Sequence, residues 1–134
     1  MNMHIDHIGI AVKDLEKSIS VYEKILNIAC SKREVVESEK VDTAFFQTGE
    51  SKVELLGATS ADSVIQKFID KRGEGIHHIA FEVDNIDDEI ARLKNEGFTL
   101  LNDSPKQGAD NKLVAFLHPK DTSGVLVELC ETIK

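Results

Sequence analysis

The stretch Gly75-Ile76-His77-His78-Ile79-Ala80-Phe81-Glu82-Val83 has an echo near the start of the chain, His4-Ile5-Asp6-His7-Ile8-Gly9-Ile10-Ala11-Val12. With His7 set on His78, an offset of 71 residues, Ile5 meets Ile76, Ile8 meets Ile79, Val12 meets Val83 and Ile19 meets Ile90. The register holds downstream, where Ala44-Phe45 meets Ala115-Phe116. A second match pairs Val53-Glu54-Leu55 with Val127-Glu128-Leu129 at an offset of 74, because the second turn is three residues longer. A chain that writes one unit twice is constrained to fold as two like modules.

Within each copy the hydrophobic period tells strand from helix. Ile5 to Val12 alternates, with Ile8, Ile10 and Val12 on one side beside Asp6, and with His7 among the small residues Gly9 and Ala11 on the other. Asp14 is placed to cap a helix with Leu15, Ile19, Tyr22 and Ile25 at helical spacing. Ile28–Val36, Val41–Thr48 and Lys52–Gly57 then read as strands, the last two joined by a tight turn at Gly49-Glu50-Ser51. Module one is thus residues 1–57, strand–helix–strand–strand–strand. Residues 58–75 connect the copies, with Ser60 predicted to cap a short helix bearing Val64, Ile65, Phe68 and Ile69. Module two, 76–134, repeats the scheme: strand Ile76–Val83, a helix capped by Asn85 and closed at Gly97, a short strand Phe98–Leu101, then strands Leu113–His118 and Val125–Glu131. The expectation is an α+β fold in a single domain, 1–134.

Composition narrows the function. A net charge of −8 argues against nucleic-acid or anionic-membrane partners, which select basic surfaces. No apolar run reaches the roughly 18 residues of a membrane span, and no secretion signal opens the chain, so a cytoplasmic protein is expected. Cys30 and Cys130 fit no metal or redox spacing and read as reduced apolar residues.

The chemistry concentrates in four residues. Glu54 and Glu128 each sit inside an apolar strand, where a bare carboxylate costs several kcal/mol unless it meets a cation or several donors. With His7 and His78 at matching points of the two modules, they form a nitrogen–oxygen ligand set for one divalent metal. Such a set, free of thiolate, suits Mn2+, Fe2+, Co2+, Ni2+ or Zn2+ rather than Ca2+. An octahedral ion so held keeps about two positions for water or substrate and polarises a carbonyl. Among the other histidines, His77 aligns with Asp6 and is structural or supports a ligand from behind, His4 lies near the terminus, and His118 either lines the pocket or shapes a turn.

These residues resemble the vicinal oxygen chelate (glyoxalase/bleomycin resistance/dioxygenase) superfamily, and within it the methylmalonyl-CoA epimerases most closely. The matching stretches are His7-Ile8-Gly9-Ile10-Ala11-Val12, Lys52-Val53-Glu54-Leu55-Leu56, Gly75-Ile76-His77-His78-Ile79-Ala80-Phe81-Glu82-Val83-Asp84, and Phe116-Leu117-His118-Pro119-Lys120-Asp121 with Gly124-Val125-Leu126-Val127-Glu128-Leu129. The resemblance implies two tandem βαβββ modules forming a curved, half-barrel mixed sheet around a metal site, helices outside, and a homodimer. It implies Co2+ as the ion, on His7, Glu54, His78 and Glu128. The implied reaction is inversion at C2 of methylmalonyl-CoA through an enolate, with Glu128 as one acid/base. The family's other proposed base aligns with Thr43, which cannot serve, so that role stays unassigned; Asp42, Glu37 and Glu39 lie nearby in sequence. Lys106, Lys112 and Lys120 are candidates to meet the anionic CoA part of an acyl-CoA substrate, Lys120 first. The rivals are a lactoylglutathione lyase (glyoxalase I) and, from another class, a metal-free small-molecule binding protein. A ring-cleaving dioxygenase fits less well, because that family has a three-residue ligand set and a longer chain.

Overall fold

A computed structural model describes residues 3–134. Contacts divide these into two compact units: His7–His77, and the residues up to Asp6 together with His78–Lys134.

In the first unit, β1 (His4–Ala11, its first three residues belonging to the other unit) leads into α1 (Leu15–Leu26). The Asp14 side chain accepts from the Lys17 N–H at 3.1 Å, satisfying one free amide of the first turn. Strands β2 (Lys32–Val36), β3 (Val41–Thr48) and β4 (Ser51–Ala58) follow, in the hydrogen-bonded order β2-β3-β4-β1. β1 and β4 run parallel and the other pairs antiparallel. One side of this sheet packs Val12, Ala44, Phe46 and Leu55 against Ile19, Leu15, Tyr22 and Leu26 of α1. At Gly57 the helix comes close, since a Cβ there would lie 3.2 Å from the Leu15 side chain and Leu15 would have to shift. The opposite side packs Ala11, Val41 and Leu56 against Ile65 and Ile69 of α2 (Val64–Arg72).

In the second unit, β5 (Gly75–Glu82) leads to α3 (Ile86–Asn95), then β6 (Lys106–Gln107), β7 (Lys112–Leu117), a 3-10 turn (Pro119–Asp121) and β8 (Val127–Thr132), ordered β5-β8-β7-β6. Asn85 caps α3 by accepting from Asp88 N–H at 3.0 Å. Ile86, Ile90 and Leu93 of α3 pack on Val83, Ala115, Leu117 and Leu129. The α+β fold of two tandem βαβββ modules with a mixed sheet is therefore as predicted.

Local expectations needed correction. The second helix is capped by Ser63, not Ser60, its hydroxyl accepting from Ile65 N–H at 3.1 Å. Starting later turns Val64 outward, 55% exposed. In α1 the inward residue is Leu26 and Ile25 is 66% exposed, because packing on the sheet chooses between adjacent apolar residues. Phe98–Leu101 forms no strand: Leu100 makes a single bridge to Leu117, and the edge pairing passes to β6. No helix among the described residues is long and apolar enough to cross a membrane.

Candidate active site

Each unit holds one of the predicted histidines against one of the predicted glutamates. In the first unit the parallel β1–β4 register sets Glu54 opposite Gly9, and the antiparallel β3–β4 register sets it opposite Phe45. His7 precedes Gly9 by two residues and so shares its face of β1. Its Nδ1 lies 3.1 Å from Glu54 Oε2. Both residues are buried, His7 5% and Glu54 4% exposed.

The second unit repeats this arrangement strand for strand. Glu128 stands opposite Ala80 in the parallel β5–β8 pair and opposite Phe116 in the antiparallel β7–β8 pair. His78, two residues before Ala80, places Nε2 3.3 Å from Glu128 Oε1. The His78 ring meets the Phe116 edge at 88°, with centroids 6.1 Å apart. The repeat seen in the letters is thus a repeat of register.

The donor set fits a divalent metal. Four carboxylates are buried among the described residues: Asp6, Glu54, Glu89 and Glu128. Lys112 meets Asp6 and Arg92 meets Glu89, whereas Glu54 and Glu128 are each met by an imidazole. A neutral imidazole offers a lone pair and a carboxylate offers oxygen, the pairing that first-row divalent ions select. Cys130 is no competing ligand, because burial pushes its thiol up and keeps it protonated. A second group, His4, Asp6 and Glu82, has ligand atoms within 4.8 Å of one another. There the Lys112 ammonium already stands 3.4 Å from Asp6 and 3.1 Å from Glu82.

Lys112 overturns one sequence expectation. It is 7% exposed, donates to Thr132 at 2.7 Å and to Glu82 at 3.1 Å, and so is engaged inside the protein rather than offered to an anionic ligand. Burial alone would lower its pKa, but Asp6 and Glu82 outweigh that and hold it above the ordinary lysine value. The signal lay in the repeat. Val41, Leu56 and Ala58 of module one, under α2, correspond to Lys112, Cys130 and Thr132 of module two, and Ala11 corresponds to Glu82. The apolar set became a charged one, closed by Asp6.

Lys120 is exposed in the 3-10 turn, and Lys106 is exposed in β6. His118 shapes that turn, its Nδ1 accepting from Lys120 N–H at 3.1 Å. His77 packs edge-on against Phe68 with centroids 5.0 Å apart, and burial lowers its pKa to about 4. Thr43 is 2% exposed in β3. Asp42, on the other face of that strand, is bound by Arg33 at 2.9 Å. Glu37 lies in the turn between β2 and β3, as does Glu39.

Residues 6–116 match the family model of the Glyoxalase/Bleomycin resistance protein/Dioxygenase superfamily. An uncharacterized protein of Bacillus subtilis (strain 168), YqjC, is 44% identical over 127 residues, 95% of this chain and 91% of that protein. The mitochondrial methylmalonyl-CoA epimerase of Homo sapiens is 42% identical over 126 residues, 93% of this chain and 72% of that one. A solved methylmalonyl-CoA epimerase in complex with methylmalonyl-CoA and NH4+ superposes with a TM-score of 0.93 at 36% identity, covering 98% of this chain and 96% of that one.

Proposed function

Because the chain belongs to the Glyoxalase/Bleomycin resistance protein/Dioxygenase superfamily, we propose that it is a methylmalonyl-CoA epimerase-like isomerase that inverts C2 of methylmalonyl-CoA through an enolate. The observation that carries the reading is the duplicated His–Glu pair, His7 with Glu54 and His78 with Glu128, each at the same place in its module. Likeness over nearly the whole chain to proteins named methylmalonyl-CoA epimerase supports it.

In this reading His7, Glu54, His78 and Glu128 hold one divalent ion, Co2+ by family likeness. When bound, the ion supplies Lewis acidity toward the oxygens of the acyl group, which acidifies the C2 proton. The chain's own part is proton handling and binding. Glu128 takes the C2 proton from one face of the substrate as a carboxylate, or returns one as a carboxylic acid. The apolar neighbours Phe116 and Ala80 keep bulk water from that carboxylate and so strengthen its interaction with charge developing at the acyl group. Lys120, exposed on the turn before β8, attracts the anionic CoA part.

We place the working form as a homodimer of single-domain chains, 1–134, in the cytoplasm, where the free thiols of Cys30 and Cys130 stay reduced. Protein purified without chelator and incubated with methylmalonyl-CoA in deuterated water tests the reading. Deuterium at C2 with inversion is the expected result. Turnover of the methylglyoxal–glutathione adduct without C2 labelling would replace it with a lactoylglutathione lyase. Absence of a bound metal together with no turnover would replace it with a binding protein.

A further inference from the structure

Methylmalonyl-CoA differs from a plain acyl-CoA by a free carboxylate on C2, and the epimerase reading so far gives that carboxylate no partner side chain. Resting on that reading, we propose that Lys32 binds it, so that the first unit selects malonyl-type thioesters over plain acyl thioesters.

The residues concerned all lie in the unit His7–His77. Register sets them in one row across the sheet. Lys32 of β2 pairs with Phe45 of β3, Phe45 pairs with Glu54 of β4, and Glu54 pairs with Gly9 of β1. Directly paired residues present their side chains to the same face of a sheet. Lys32 therefore shares the face of Glu54, two strand spacings or about 10 Å away between Cα atoms.

The side chain leans inward along that row. Lys32 Nζ stands 4.6 Å from the centroid of the Phe45 ring, which is almost fully buried between it and Glu54. The negative face of the ring draws the ammonium over it, toward the strand that carries Glu54. Nζ also lies 3.5 Å from Glu34 Oε1. That ion pair is partly exposed, so solvent screens it and it contributes little. With three N–H donors, the ammonium serves Glu34 and a ligand oxygen together.

Charge gives the lysine its purpose. A substrate carboxylate brought to the face of Glu54, in a chain of net charge −8, meets like charge unless a cation faces it. The first unit supplies two cations on this face. Lys32 is one, and Lys52, paired with His7 and two residues before Glu54 on β4, is the other. The second unit carries neither. Val53-Glu54 corresponds to Val127-Glu128, so Lys52 corresponds to Leu126. The segment beside Phe116 is Leu101-Asn102, where Leu101 N–H donates to the Phe116 carbonyl at 2.8 Å and Asn102 Oδ1 accepts from Phe116 N–H at 3.4 Å. The repeat thus copies the His–Glu pair and leaves the cations single. A substrate with one free carboxylate calls for that asymmetry.

The test uses the holoenzyme, with Lys32→Met to remove the charge while keeping an apolar stem over Phe45, and Lys32→Arg to keep the charge. Lys32→Met should raise KM and the calorimetric Kd for methylmalonyl-CoA about tenfold, with kcat and metal content unchanged, and Lys32→Arg should recover most of the loss. Methylmalonyl-N-acetylcysteamine, which keeps the carboxylate and lacks the phosphates, should show the same rise. Propionyl-CoA, which keeps the phosphates and lacks the carboxylate, should bind wild type and Lys32→Met alike. Equal affinity of both proteins for methylmalonyl-CoA overturns the proposal. So does a loss that appears with propionyl-CoA and not with the truncated thioester, since Lys32 would then be meeting phosphate. Failure of the wild type to label or invert C2 would instead sink the epimerase reading itself.

Discussion

Glu54 Oε2 and His7 Nδ1 lie 3.1 Å apart with both side chains almost wholly shielded from water. A pair so buried is stable only if charge and hydrogen bonding are matched, which makes removal of either member costly. If a metal completes the match, chelation should lower the melting temperature and re-addition of Co2+ should restore it. At an ion concentration a hundredfold above Kd the stabilisation is about 2.7 kcal/mol. His7→Ala and His78→Ala should each weaken metal binding by at least about a hundredfold, read by metal titration. Unchanged stoichiometry and affinity in both variants would remove the ligand assignment.

Lys112→Met should destabilise the fold by about 3–5 kcal/mol, because the buried carboxylate of Asp6 and the partly buried one of Glu82 would both lose the ammonium that balances their charge. Chemical denaturation would show this as a lower midpoint at an unchanged slope. The pKa of Lys112 is raised in the fold, so its contribution is complete below the unfolded value of about 10.4 and fades as pH climbs through the folded one. The gap between wild type and variant should accordingly narrow in strong alkali. A constant gap would show that packing, not charge, is what Lys112 supplies.

Asp14→Ala and Asn85→Ala remove equivalent caps from α1 and α3. Each should cost about 1 kcal/mol. The two losses should add in the double variant, since the caps share no partner. A thermal or denaturant series on the four proteins measures this.

Lys120→Ala should weaken affinity for CoA thioesters a few-fold, the scale of a solvent-exposed charge contact, and leave metal content unchanged. Equal affinity in variant and wild type would take Lys120 out of the binding surface.

Much of this architecture was legible because the repeat supplied two readings of every element. The β3 limits, Val41–Thr48, agree with the sequence, since turn residues bound a clean run of strand formers on both sides. Asp14 and Asn85 were recognisable because capping depends on a local N–H that the same side chain reaches. What escaped was non-local. Lys112 reads as a solvated lysine until Asp6, at the far end of the chain, is brought beside it. Ile25 and Leu26 are equally apolar, and only the sheet beneath α1 selects Leu26. The Phe98–Leu101 run has strand composition but one bridging partner. At the candidate site the sequence singled out both histidines and both glutamates. The missing element was the neighbours that make the two carboxylates alike, Gly9 with Phe45 and Ala80 with Phe116.

The connection between β7 and β8 is the longer of the two equivalent hairpins, and the extra length is gathered into the turn Pro119–Asp121. Asp121 fastens that turn by accepting from Thr99 N–H at 2.7 Å, while the strand register flanking Glu128 stays the same as that flanking Glu54. Length and composition at this tip are thereby decoupled from the alignment of Glu128. Segments grafted between His118 and Val125 would therefore change what this tip presents while the strand pairing around Glu128 is inherited intact.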